Sequence, residues 1–182
     1  MNQRNSHAVL VLGMHRSGTS ALTGALALRG VFLGRDLMAP GPDNPKGFWE
    51  HAGVVDIHER LLDALGRSWD DPRELPDGWL ETPAAEAARE QLRELLLAEF
   101  GEQPLWAMKD PRLCRLLPLW LPLLAEMGIA ASAVIVARDP REVASSLWAR
   151  NRWPGALSRE LWVRHVSDAI ADSATLARCV LV

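Results

Sequence analysis

Two stretches of the sequence combine residue types and spacings that suit anion chemistry. The first is Gly13-Met14-His15-Arg16-Ser17-Gly18-Thr19-Ser20, directly after the apolar run of residues 8–12. A strand, a glycine turn and a helix start aim backbone N–H groups and the positive end of a helix dipole at one point, where an anion binds. A loop for nucleoside triphosphate and magnesium reads G-x-x-x-x-G-K-[ST], its lysine on the β/γ-phosphates and its hydroxyl on the metal. Here both glycines are correctly spaced, but Thr19 stands where that lysine belongs, and Arg16 is the strong cation of the loop. The phosphate cradle is retained while the grip on a triphosphate is lost.

The second stretch runs Val134-Ile135-Val136-Ala137-Arg138-Asp139-Pro140-Arg141-Glu142-Val143-Ala144-Ser145-Ser146-Leu147. Its β-branched apolar start reads as a buried strand. Asp139 suits an N-cap, Pro140 the first helical position, and Glu142 the far corner of a capping box. Arg138 therefore falls at the carboxyl end of a strand, and Ser146 about two turns into the following helix. A guanidinium fork and a hydroxyl suit the oxygen triangle of a phosphate, and the arginine stays charged at any working pH. Taken singly, Arg138 reads as well as an ion-pair partner, and Ser146 as a solvent-facing helix residue. Their pairing after a glycine loop favours phosphate.

Together these stretches resemble the phosphate motifs of sulfotransferases that use PAPS (3′-phosphoadenosine 5′-phosphosulfate). In that family a Lys or Arg precedes Ser/Thr-Gly-Thr-Ser/Thr, as Arg16 precedes Ser17-Gly18-Thr19-Ser20, and an Arg and a Ser spaced like Arg138 and Ser146 grip the 3′-phosphate. The resemblance implies that Gly13, His15, Arg16, Ser17, Gly18, Thr19 and Ser20 hold the 5′-phosphosulfate, and Arg138 and Ser146 the 3′-phosphate. It implies transfer of a sulfonate to a hydroxyl or amine of a carbohydrate, lipid or small-molecule acceptor, with release of PAP (adenosine 3′,5′-bisphosphate). No metal is required on this reading, because Arg16 and oriented backbone dipoles take the electrostatic role of magnesium. The implied fold is a three-layer α/β architecture like that of P-loop NTPases, a parallel sheet flanked by helices, in a single domain over residues 1–182.

Between the phosphate motifs lies Asp43-Asn44-Pro45-Lys46-Gly47-Phe48-Trp49-Glu50-His51, similar to a segment of many bacterial sulfotransferase-like proteins. Related carbohydrate sulfotransferases carry a catalytic carboxylate in the comparable region, so Glu50 is the candidate base, with His51 second. A carboxylate beside Phe48 and Trp49 would be partly desolvated, which raises its pKa toward a useful value. Glu50 reads otherwise as a first-turn helix residue favoured by the dipole. Lys109, in Lys109-Asp110-Pro111-Arg112, is a candidate for the transferring sulfonate, whereas Asp110 reads as an orienting or capping residue and Arg112 as an ion-pair partner. Two other readings stay open. One is a nucleotide kinase or NTPase, with Asp110 or Asp139 on magnesium; the other is a non-catalytic PAP-binding relative.

The elements that must position these residues follow from periodicity and capping. Strands are expected at residues 8–12, 31–33, 105–108 and 129–136, and helices at 17–28, 54–65, 83–100, 140 onward and 160–177. A proline-interrupted helical segment precedes Gly128, a Pro/Gly-rich connection covers residues 36–49, and a polar loop with Trp69 and Trp79 covers residues 67–81. Those tryptophans face an acceptor or fill core, core being the default. Such alternation predicts a parallel sheet whose carboxyl edge gathers the glycine loop, Lys109 and Arg138. Arg178-Cys179-Val180-Leu181-Val182 reads as the start of another buried strand. Family members continue past such a point with a segment closing over the nucleotide, and the resemblance implies that this segment is missing here.

Composition fits a cytoplasmic enzyme domain. The chain has 182 residues and a formal net charge of −3, so no basic field announces nucleic acid or an anionic membrane. No stretch approaches a membrane span, and the amino terminus lacks a signal-peptide pattern. Cys114 and Cys179 show no metal-ligand spacing and read as buried free thiols; His7, His58 and His165 have no ligand spacing either.

Overall fold

The sequence's strongest apolar run becomes the middle of the sheet. In the computed structural model, which describes residues 6–42 and 44–182, β1 (His7–Leu12) lies between β2 (Leu105–Lys109) and β3 (Ala130–Ile135). A fourth strand, β4 (Cys179–Leu181), completes a four-stranded sheet of order β2-β1-β3-β4, parallel throughout. Parallel neighbours require crossovers, and helices supply them. The helices α1 (Thr19–Leu28), α2 (Ala52–Ala64) and α3 (Pro83–Phe100) fall between β1 and β2, and α4 (Leu113–Glu126) between β2 and β3. The pair α5 (Pro140–Asn151) and α6 (Gly155–Ser173) falls between β3 and β4. The chain is thus an α/β protein with an all-parallel sheet flanked by helices. No helix among the described residues is long and apolar enough to cross a membrane.

The core shows which elements pack together. Leu62 of α2, Leu92, Leu96 and Phe100 of α3, Trp106 of β2, and Leu116 and Trp120 of α4 are fully buried in one cluster with Leu10 and Leu12 of β1. A smaller cluster of Met14, Val143, Leu147 and Leu161 fixes α5 and α6 beneath the glycine loop. Thr82 caps α3 by accepting the Ala85 N–H at 3.2 Å, with Pro83 in the first turn, as the capping signals indicate.

Several sequence expectations change. The prolines expected to interrupt the segment before Gly128 lie inside one helix, α4, where Pro118 and Pro122 are tolerated because burial on most sides holds it. Residues 31–33 form no strand; Phe32 makes a single bridge to Trp106, its carbonyl accepting the Ala107 N–H at 2.8 Å. Helix α1 starts at Thr19 because Gly18 is left-handed (φ 98°), and α6 starts already at Gly155, directly after Pro154. Strand β4 pairs with β3 as a sheet edge, and its three residues are exposed rather than buried. Cys114 is buried as expected, but Cys179 is exposed. Asp43 lies outside the described residues.

Candidate functional site

The glycine loop follows β1 and owes its path to Gly13. That residue holds φ 148°, and a Cβ there would stand 2.6 Å from the Val136 carbonyl oxygen and 2.9 Å from Thr19 Cγ2. Only glycine lets the loop pass so close to the end of β3. The Gly13 N–H donates to Cys114 Sγ at 3.0 Å, and burial pushes that thiol up to about 12. Ser17 N–H donates to the Met14 carbonyl at 3.1 Å, and Arg16 itself is left-handed (φ 70°). Helix α1 begins with no side-chain cap and no acidic residue in its first turn, so its leading amides are left for an anion. Ser17 Oγ and His15 Nε2 are buried without a hydrogen-bond partner among the described residues.

The strand order places a crevice beside this loop. After β1 the chain crosses toward β2, and after β3 it crosses toward β4, so the connections diverge between β1 and β3. Such a switch point opens a cleft at the carboxyl ends of the strands. Residues from both sides meet there. Arg16 Nε donates to Ser146 Oγ of α5 at 2.8 Å, and Arg138 Nη1 donates to the Arg16 carbonyl at 3.4 Å. Arg138 Nε also donates to Glu142 Oε2 at 2.6 Å, and the Trp162 indole N–H holds the Arg138 carbonyl at 3.0 Å. Arg138 lines both the main cleft and an adjoining depression that it shares with Ser146.

The main cleft is about 900 Å³, and His15, Arg16, Gly18, Thr19, Ser20, Glu50 and Lys109 all line it. Lys109, at the end of β2, reaches the loop: its Nζ donates to Ser20 Oγ at 3.3 Å, to the Phe48 carbonyl at 3.1 Å, and to Glu50 Oε1. Glu50 is buried, and its second oxygen lies 3.8 Å from Arg112 Nη1. Burial and then the charge of Asp110 push the Glu50 carboxyl up, against the opposing pull of Lys109 and Arg112. Desolvation and neighbouring positive groups hold His15 well below its ordinary value, so its imidazole is neutral near pH 7.

His51 takes no part in this wall. Its Nδ1 accepts the Val54 N–H at 3.4 Å as the N-cap of α2, and its Nε2–H faces Glu99 Oε2 at 2.9 Å. Cap chemistry accounts for this histidine without any reaction. Other residues also line the cleft, and of these Arg150 escaped the sequence reading. Asn44 donates to Ser20 Oγ at 3.3 Å, and the Trp69 ring sits 4.5 Å from that of His15, with the Arg150 guanidinium 5.7 Å from Trp69. Asn44, Trp69 and Arg150 come from the connection before α2, the loop before α3 and the end of α5, and Arg150 carries no local spacing that would reveal it. Among the described residues no group of three or more His, Cys, Asp or Glu is arranged to hold a metal ion. No protein-family model matches the chain, and comparison with curated proteins finds no match.

Proposed function

We propose that the chain is a PAPS-dependent sulfotransferase that moves a sulfonate to an acceptor hydroxyl or amine and releases PAP. The observation that carries the reading is the contact of Arg16 with Ser146 and Arg138, far apart in sequence, at the divergence of β1 and β3. One anion cradle and one arginine–serine pair sit side by side, as a ligand with two separate phosphate-like groups requires. A glycine loop between a central parallel strand and a helix also favours a P-loop-like fold. Thr19 replaces the lysine of a triphosphate loop, and beside Arg16 it is Lys109 that brings an ammonium, to Ser20 from β2. That arrangement suits a phosphosulfate better than a magnesium-bound triphosphate.

PAPS supplies an activated sulfonate whose leaving group is a phosphate oxygen. Around it, the α1 amides, Ser17 and Arg16 neutralise charge that builds on the leaving 5′-phosphate, and Arg138 and Ser146 hold the 3′-phosphate. Lys109 stabilises the oxygens of the sulfonate in transit. Glu50 takes the acceptor proton as the acceptor oxygen bonds to sulfur and the sulfur–oxygen bond to phosphate breaks, leaving that electron pair on the phosphate. Burial pushes the Glu50 carboxyl up, the direction that makes a carboxylate a stronger base. Sugar, lipid and small hydroxyl acceptors are all admissible in a cleft of this size.

The test is transfer of labelled sulfonate from PAPS to a panel of hydroxyl and amine acceptors. Glu50→Gln and Arg16→Ala should each lower turnover about 100-fold or more while the protein stays folded. Undiminished turnover in folded Arg16→Ala would defeat the assignment, and magnesium-dependent ATP hydrolysis would favour a nucleotide kinase or NTPase.

A further inference from the structure

Behind the Glu50–Lys109 pair runs a line of buried polar contacts that the proposed reaction does not use. The Trp120 indole N–H of α4 donates to His58 Nε2 of α2 at 2.8 Å, so that nitrogen carries the lone pair and the ring proton sits on Nδ1. From Nδ1 the ring donates to Asp110 Oδ2 at 2.7 Å. The other oxygen, Asp110 Oδ1, accepts from the Arg112 backbone N–H at 3.0 Å and from its Nη1 at 2.8 Å. Arg112 Nη2 donates to Glu59 Oε1 at 2.5 Å. His58, Asp110, Arg112 and Trp120 are all buried, and Glu59 is half exposed. Both ends of the Arg112 fork are thus occupied, and it stops 3.8 Å short of Glu50.

We propose that His58 is a positioning residue for Glu50, acting through Asp110, whose oriented carboxylate holds the Arg112 guanidinium off Glu50. The inference rests on the reading of Glu50 as the base. A guanidinium in a dry site closes on the nearest carboxylate as a fork unless another acceptor holds it. Closed on Glu50, it would join Lys109, and a carboxylate gripped by two cations is a weak base because its charged form is overstabilised. Asp110 holds the fork away in one rotation of its carboxylate. The His58 N–H on Oδ2 sets that rotation, and Trp120 sets the ring and tautomer of His58. Burial alone would push Asp110 up, but the Arg112 charge and the His58 bond overcome it and keep Asp110 ionised.

The charged groups acting on Glu50 are Asp110, Lys109 and Arg112. Glu59 adds its charge through Arg112, and His51 follows Glu50 in the chain but turns toward Glu99. His15, in the loop, responds to Lys109, Arg112 and Asp110 and stays neutral. A core histidine that merely fills space would leave the ionisation of Glu50 alone, and this separates the two roles.

The experiment follows the carboxyl carbon of Glu50 by NMR through a pH titration, assigned by its loss in Glu50→Gln. In His58→Leu the Asp110 carboxylate loses the bond that orients it, Arg112 closes on Glu50, and the Glu50 midpoint should fall by about 1 unit or more. His58→Gln, whose amide can donate to Asp110 and accept from Trp120, should restore the higher midpoint. Should His58→Leu fail to fold, Trp120→Phe removes only the indole donor and should lower the midpoint in the same direction. An unchanged Glu50 midpoint in folded variants lacking the His58 or Trp120 bond would overturn the proposal. PAP titrated into the same samples reads the sulfotransferase assignment separately. A shifted midpoint without PAP binding would defeat that assignment and leave the positioning role standing.

Discussion

At the scale of residues, the cleft separates groups that local pattern reveals from groups that only the fold assembles. Arg16, Arg138 and Ser146 were legible because each belongs to a strand–turn–helix whose capping residues lie within a few positions. Glu50 and Lys109 were legible one at a time, but their mutual ion pair joins the end of β2 to the segment before α2 and leaves no trace in spacing. His58 and Asp110 were invisible as a pair for the same reason, and His51 looked chemical because its role as an N-cap depends on where α2 begins. If Arg138 holds a phosphate, Arg138→Ala removes a charge-assisted contact of about 1.5–3 kcal/mol. PAP affinity measured by calorimetry should therefore fall about 10- to 100-fold. An unchanged affinity would return Arg138 to the role of an ion-pair partner of Glu142.

At the scale of elements, alternation of strand and helix was legible because apolar runs and caps are local, and α3 shows it with Thr82 and Pro83. Where tertiary packing overrides propensity the reading failed. Helix α4 keeps two prolines because its neighbours bury it, and residues 31–33 lack the pairing that would make a strand of an apolar run. The loop between β1 and α1 makes the element-scale prediction. Gly13→Ala sets a Cβ against the Val136 carbonyl oxygen in a backbone conformation that side chains resist. Unfolding by denaturant should show a loss of roughly 1–3 kcal/mol, with weaker PAP binding as the loop shifts. Wild-type stability in that variant would mean the loop passes β3 less closely than described.

At the scale of the whole molecule, charge is distributed against the average. The chain carries a net −3, yet Arg16, Lys46, Lys109, Arg112, Arg138 and Arg150 line the cleft, with Glu50 as its acid among the described residues. Such a field draws anions in, so PAP affinity should decline steadily as salt is raised. Buried His165 ties stability to pH. Burial holds His165 down at about 4, against 6.5 for an ordinary imidazole, so between those values the unfolded chain binds a proton that the folded chain refuses. Stability from this group is present above pH 6.5 and is lost as pH falls toward 4, by about 3 kcal/mol. Denaturation of wild type and His165→Phe across that range should show wild type losing more on acidification; parallel curves would contradict it.

The central claim is that the cleft between β1 and β3 takes PAP without metal. It is tested most directly by titrating PAP into the purified protein with a chelator present, beside magnesium–ATP and beside Arg138→Ala. Saturable PAP binding, insensitive to the chelator and weakened by the substitution, is the predicted result. Binding of magnesium–ATP in its place, or no PAP binding at all, would contradict it.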